Sequence, residues 1–275
     1  MPKCRELWYD YAQSNVRRPT VNLLFEKRLA DRFKSPSQQA RVLTEHWVGS
    51  QVFCPNCGNG NVQKHSSNKP VADFFCPQCN EDYELKSKKG NMGNRIVDGA
   101  YRTMMERLRA SDNPSLFLLE YDSRDFAVVN FLVVPRHFFV PGIIEKRKPL
   151  SVTARRACWT GCNINLSGIP ESGRIHFVKA RRVEGRIAVL SAWKRTSFLK
   201  EERDASARGW LLDIMACVEK LGREFSLDQV YAFESLLSQK HPRNSHVKDK
   251  IRQQLQILRD KGYLEFFGRG KYRFK

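Results

Sequence analysis

The sequence predicts an α/β core, a central mixed sheet flanked by helices and stapled by cysteines, followed by a smaller helical module. Three observations predict it. Apolar, strand-like runs at 115–121 and 126–134 alternate with helical segments. Two Cys-x-x-Cys pairs, Cys54 with Cys57 and Cys76 with Cys79, interrupt the chain ahead of them. After about residue 205 the text turns into three helical segments and a basic hairpin. A chain of 275 residues accommodates two domains. The expected plan is an extension over 1–20, an α/β domain with the metal site over 21–195, a linker, and a second domain over 206–275.

Residues 1–20 lack clear periodicity and contain Arg17-Arg18-Pro19. Ser37 is positioned to cap a helix through 38–50, where Ala40, Leu43 and Trp47 recur at helical spacing. Extended strands are expected around the second cysteine pair, with Val71, Asp73 and Phe75 on one face and Glu84 and Lys86 on one face of the next strand. A polar, glycine-bearing loop from Lys86 to Asn94 leads into a helix expected over 97–110, with Met104, Met105 and Leu108 toward the core. Residues 149–179 are mixed and end in a strand at 174–180. The basic stretch 181–205 is expected to hold an edge element and a linker.

The eighteen residues between the two Cys-x-x-Cys knuckles suit a zinc ribbon, in which four thiolates complete a tetrahedron. Cys158 and Cys162 have no second pair to join them and are expected to be small buried residues. Folding the ribbon into a hairpin would bring Asp73 on one arm near Glu84 and Lys86 on the other. Phosphodiester hydrolysis needs an activated water and neutralisation of charge on the phosphate. Two carboxylates suit magnesium, and a lysine on the same face can orient the water or stabilise charge. Glu45, on the early helix, is a further acidic candidate.

The formal charge of +19, from 48 Lys and Arg against 29 Asp and Glu, points to a polyanionic partner. No apolar run spans a bilayer, and the first residues lack the apolar stretch of a secretory signal, so a cytoplasmic protein is expected. The C-terminal order of three helices and a hairpin turned at Gly268 and Gly270 is that of a winged helix. Residues 243–275 hold ten Lys and Arg against Asp249, Asp260 and Glu265, a net +7. In the third helix Val247, Ile251, Leu255 and Leu258 are spaced to face inward. Lys248, Arg252, Gln253, Gln256 and Arg259 then face outward, where Arg and Gln can read base edges and Lys can meet phosphate. His246, Arg269 and Lys271 complete the expected DNA-contacting set in this domain. The absence of a coiled coil or an apolar seam leaves a monomer as the expectation.

Asp73 followed by Glu84-Leu85-Lys86 in neighbouring strands resembles the PD-(D/E)XK nuclease core. The segments CPNCG, PVADFFCPQCNEDYELKSKKGN, DGAYRTMM, ARRACWTGCNINLS and HVKDKIRQQLQILRDK, in that order, resemble the DpnI-like methyl-directed (type IIM) restriction endonucleases over about residues 22–275. That resemblance implies catalytic roles for Asp73, Glu84 and Lys86, structural zinc at Cys54, Cys57, Cys76 and Cys79, and magnesium at Asp73 and Glu84. It also implies cleavage of double-stranded DNA at GATC carrying N6-methyladenine, in a bacterial cytoplasm. Trp159, with Arg155 and Arg156 beside it, is the candidate for contact with the methylated bases. A core tryptophan is the plainer alternative. The residues by themselves also admit a non-catalytic methyl-sensing regulator built from a zinc ribbon and a winged helix, or a nuclease of DNA repair.

Overall fold

The structure, a computed structural model, describes residues 21–66, 72–110 and 112–275. The expected extension at 1–20, and Val71 at the start of the expected strand, lie outside the described residues. The elements in chain order are α1 (Pro36–Gln51), β1 (Gln63–Lys64), β2 (Phe74–Phe75), β3 (Asp82–Lys89), β4 (Arg95–Ala100), α2 (Tyr101–Ala110), β5 (Ser115–Asp122) and β6 (Ala127–Val134). There follow β7 (Ile144–Lys146), β8 (Gly161–Asn165), β9 (Ile175–Lys179), β10 (Arg182–Val183) and α3 (Arg186–Thr196). The C-terminal module comprises α4 (Ala205–Val218), β11 (Glu224–Ser226), α5 (Leu227–Tyr231), α6 (Glu234–Lys240), α7 (Val247–Asp260), β12 (Leu264–Gly268) and β13 (Lys271–Phe274).

The central sheet has the order β1-β2-β3-β5-β6-β9-β10. It is mixed: β3 and β5 run parallel and the other neighbours antiparallel. A parallel pair needs a crossover, and β4 with α2 supplies it. Side-chain alternation along β5 divides the core between the two faces of the sheet. Phe117 and Leu119 join Trp47, Tyr83, Phe131, Phe177 and Trp193 on one side, where α1 and α3 pack. Leu116 and Leu118 join Ile96, Leu108, Val134 and Ile164 on the other. Both faces are covered, which accounts for the unbroken apolar run in β5.

Several expectations are corrected. The expected loop from Lys86 is strand as far as Lys89, because β3 pairs with β5 through Lys89↔Tyr121. Residues 97–100, expected as the start of a helix, belong instead to β4, which pairs with β8 in a second sheet of order β4-β8-β7. The α1 helix begins at Pro36 with Ser35 in the cap position, so Ser37 lies inside its first turn. The stretch 181–205, expected to hold an edge element and a linker, begins with the edge strand β10 but is then largely α3, whose Trp193 is buried and donates its indole N–H to Asn56. Cys158 is exposed, whereas Cys162 is buried as expected.

In the C-terminal module Val247, Ile251, Leu255 and Leu258 of α7 are all buried, as their spacing requires. The expected middle helix is broken into α5 and α6 at Ala232–Phe233. Its start is a capping box, with Ser226 Oγ accepting from the Gln229 N–H and the Gln229 side chain accepting from the Ser226 N–H. The hairpin gains a third strand, giving the order β11-β13-β12. This module shares one apolar cluster with the second face of the main sheet: Trp210, Leu211, Ile214 and Met215 of α4 pack in the cluster that holds Phe138, Phe139 and Ile143. Glu219 adds a polar link, accepting from the Glu171 N–H and from the Tyr263 hydroxyl, each at 2.6 Å.

Candidate metal centres and nucleic-acid interface

The two cysteine knuckles have the same local fold. In each the fifth residue takes a left-handed conformation, Gly58 at φ 76° and Asn80 at φ 56°, and its N–H returns to the carbonyl of the first cysteine at 2.9 Å. Asparagine is among the few side chains that enter this region readily. The ligand atoms of Cys54, Cys57, Cys76 and Cys79 lie within 4.8 Å of one another. The Sγ atoms of Cys54 and Cys79 are 3.6 Å apart, and those of Cys57 and Cys76 3.5 Å. A tetrahedron with Zn–S bonds of about 2.3 Å places its sulfurs about 3.8 Å apart, so the quartet fits zinc. Hydrogen bonds support it, from Asn56 Nδ2 to Cys79 Sγ at 3.3 Å and from the Asn59 N–H to Cys57 Sγ at 3.4 Å. Burial opposes ionisation of Cys76, yet the N–H groups of Cys79 and Gln78 outweigh it and bring that thiol down to about 7. Burial dominates at Cys57 and lifts it to about 11. His65 is not among the four; its Nε2 lies 2.8 Å from Asp82 Oδ1 and its ring stacks on Phe75.

The knuckles pin the hairpin of β2 and β3, and its register sets the carboxylates. Phe74 is opposite Tyr83, so continuing the register by one residue sets Asp73 beside Glu84. The Asp73 N–H donates to the Tyr83 carbonyl at 2.9 Å, and the Leu85 N–H donates to Asp73 Oδ2 at 2.7 Å. Glu84 and Lys86 lie on the side of β3 opposite to Tyr83, level with Leu116 and Leu118 of β5. Lys86 Nζ is 2.5 Å from Glu84 Oε1 and 2.8 Å from Asp98 Oδ1. An open cavity of about 190 Å³ borders Glu84 and Asp98 and is walled by Thr103, Arg107 and Asn113.

Electrostatics follow from this crowding. Burial raises the Glu84 pKa above the ordinary carboxylate range, and Asp98 and Asp73 push the same way against the opposing pull of Lys86. Burial works against the charge on Lys86, but Glu84 and Asp98 outweigh it and raise the ammonium pKa above its usual value. Asp98 escaped sequence reasoning because 97–110 read as a helix. Only the strand assignment of 95–100 reveals that it faces β3. Glu45 is buried and ion-paired with Arg41 at 2.6 Å and Lys64 at 2.5 Å.

The residues expected to meet DNA fall into two groups. Arg155 and Arg156 are exposed on the loop between β7 and β8, and Trp159 is half-buried rather than in the core. Its ring lies across Gly161, where a Cβ would approach it to 2.9 Å, so this glycine makes room for the ring. Cys162, the residue after Gly161 in β8, is the buried partner of Asp98 across β8 and β4. The second group is in the C-terminal module. His246, Lys248, Arg252, Gln253 and Gln256 are exposed along α7, and Arg269 and Lys271 are exposed on the hairpin. Lys248 is 3.4 Å from Glu234, and the Arg252 guanidinium bonds the Tyr231 hydroxyl. At the hairpin, Arg259 lies over Phe266 and Arg273 over Phe267, so two half-exposed aromatic rings are backed by cations.

Two family models match the chain, that of the Dam-replacing family over residues 21–202 and that of the Dam-replacing HTH domain over residues 206–274. The first covers the mixed sheet, the cysteine quartet and the carboxylate and lysine cluster; the second covers the module that presents α7 and the basic hairpin. The chain belongs to the Dam-replacing (DpnI) family and carries that family's helix-turn-helix domain at residues 206–274.

Proposed function

We propose that this protein is a magnesium-dependent restriction endonuclease that cleaves double-stranded DNA at G(N6-methyl-A)TC sites. The observation that carries the reading is the convergence of Asp73, Glu84 and Lys86 on adjacent strands of a zinc-suited hairpin, in a chain whose second module exposes a basic helix and hairpin. Asp73 and Glu84 are the groups that would hold magnesium, and the fit rests on charge. Burial raises the cost of ionising Glu84, Asp98 and Asp73 add to it, and a bound cation would relieve it. Magnesium there supplies Lewis-acid stabilisation of the phosphate and a more acidic bound water.

The chain's own groups do the rest. The Leu85 N–H fixes one oxygen of Asp73 and so orients that carboxylate. Lys86, held as a cation by Glu84 and Asp98, is suited to orienting the attacking water and stabilising charge on the scissile phosphate rather than to removing a proton. Zinc at Cys54, Cys57, Cys76 and Cys79 has a structural role, fixing the arms that carry Asp73 and Glu84.

Recognition is assigned to both modules. N6-methylation removes one donor proton of adenine and adds an apolar group in the major groove. Trp159 offers an apolar surface for it, with Arg155 and Arg156 beside it for phosphate. Arg252, Gln253 and Gln256, exposed on α7, are assigned to base edges, and His246, Lys248, Arg269 and Lys271 to the backbone.

The test is digestion of one plasmid prepared with and without adenine methylation, in magnesium and in chelator, with the ends mapped. Discrete fragments that require both methylation and magnesium are expected, together with loss of cutting in Asp73→Ala and Lys86→Ala while DNA binding persists. Methyl-dependent binding without strand breaks would instead identify a regulator. Structure-dependent nicks would identify a repair nuclease.

A further inference from the structure

We propose that Asp98 is a positioning residue that holds the Lys86 ammonium in place when Glu84 turns its charge to the catalytic cation. The inference rests on the reading of Glu84 as a metal ligand and Lys86 as a catalytic group. In the structure Lys86 Nζ is shared between Glu84 Oε1 at 2.5 Å and Asp98 Oδ1 at 2.8 Å. A carboxylate that binds a dication has less negative charge to offer a neighbouring ammonium. The second carboxylate then keeps the lysine anchored.

The placement of Asp98 is built into the fold. Its side chain is 8% exposed, against 26% for Lys86, so the pair is largely sheltered from water and its geometry is held by packing. A bulge in β4 falls at this point: Asp98 is opposite Cys162 and Ala100 opposite Gly161, leaving Gly99 as the extra residue. Such bulges bend a strand and re-aim a side chain. The Cys162 thiol, directly across from Asp98, reaches the Gly99 carbonyl at 3.5 Å and ties the bulge to β8. Asp98 also borders the cavity that Glu84 lines, so the bridge from Asp98 to Lys86 forms one edge of the space beside the carboxylates. Asp98 opens the DGAYRTMM segment that takes part in the family resemblance, but the resemblance gives it no role; the contact across the two sheets identifies it.

The experiment compares Asp98→Asn, Asp98→Ala and Asp98→Glu with the unchanged full-length protein and with Lys86→Ala. Single-turnover cleavage is measured at saturating methylated DNA and magnesium, DNA affinity with calcium in place of magnesium, and folding by thermal melting. Asp98→Asn keeps the shape of the side chain, which guards against loss of fold. It is expected to cut ~10²-fold more slowly with DNA affinity within ~2-fold of the unchanged protein, because the defect is confined to a charge acting in the transition state. Asp98→Glu, which restores the charge, is expected to recover at least ~5-fold of the loss. The inference is overturned if Asp98→Asn cuts within ~3-fold of the unchanged protein, or if its loss of rate is matched by an equal loss of DNA affinity. Full cutting by Lys86→Ala would overturn the assignment of Lys86 itself, which is a separate outcome.

Discussion

The Leu85 backbone N–H donates to Asp73 Oδ2 at 2.7 Å, so the carboxylate assigned to magnesium also closes the hairpin that positions its partner. Catalysis and local stability are therefore joined in one side chain, and substitutions separate them. Asp73→Asn keeps an acceptor for the Leu85 N–H and is expected to melt within about 2 °C of the unchanged protein while losing cleavage. Asp73→Ala leaves that donor unpaired and is expected to cost ~1–2 kcal/mol in addition. Thermal or denaturant melts run beside a cleavage assay distinguish the two.

Elemental analysis of the purified protein is expected to find about one zinc per chain, as the spacing of the four sulfurs implies. Removal of the ion should loosen the hairpin, so that Cys54→Ser or Cys79→Ser lowers stability and abolishes cleavage together. A zinc-free protein with an unchanged melt would contradict the structural role given to the quartet.

Raising a carboxylate's pKa in the folded state has a definite sign. Without magnesium, the folded protein binds the Glu84 proton more tightly than the unfolded chain, so this residue's contribution to stability is present in acid and is lost as pH rises through its raised pKa. Glu84→Gln removes that dependence. The melting temperature of Glu84→Gln relative to the unchanged protein should therefore be higher at neutral pH than at pH 4. Magnesium should narrow the neutral-pH gap by stabilising only the protein that retains the carboxylate. A gap that does not change with pH would rule out the assigned burial effect.

Charge on the C-terminal module can be tested by salt dependence. Arg269→Ala or Lys271→Ala is expected to weaken binding to methylated and unmethylated duplexes alike and to reduce the slope of log K against log salt by ~1, as loss of one phosphate contact does. Gln256→Ala should instead weaken the methylated GATC site more than an unrelated duplex. Fluorescence anisotropy across a salt series measures both effects.

Much of this arrangement was legible in the sequence because the informative signals are local. The knuckles announce themselves by spacing, and Glu84 and Lys86 share a face because strands alternate with period two. The burial of α7 follows the steps between Val247, Ile251, Leu255 and Leu258. What the sequence concealed depends on pairing partners far along the chain. The segment from Arg95 to Ala100 becomes strand only against Gly161–Asn165, and with it goes the position of Asp98. The 181–205 stretch is rich in charge, so the helix around Trp193 showed little periodicity; its order comes from packing against the sheet and from the bond to Asn56. Ser37 is a reasonable cap by residue type, but Pro36 takes the first helical position and the helix starts two residues earlier.

The apolar cluster shared by α4 and the 138–143 segment has a practical meaning for engineering. A recognition module joined by a tether can be exchanged as a cassette, whereas this one shares its core with the sheet behind the carboxylates. Changing the part of recognition proposed for this module would mean keeping Trp210, Leu211, Ile214 and Met215, together with the Glu219 link, and redesigning only the exposed side of α7 and the hairpin. The DNA-facing side proposed for this module is thus separable as a surface, and not as a domain.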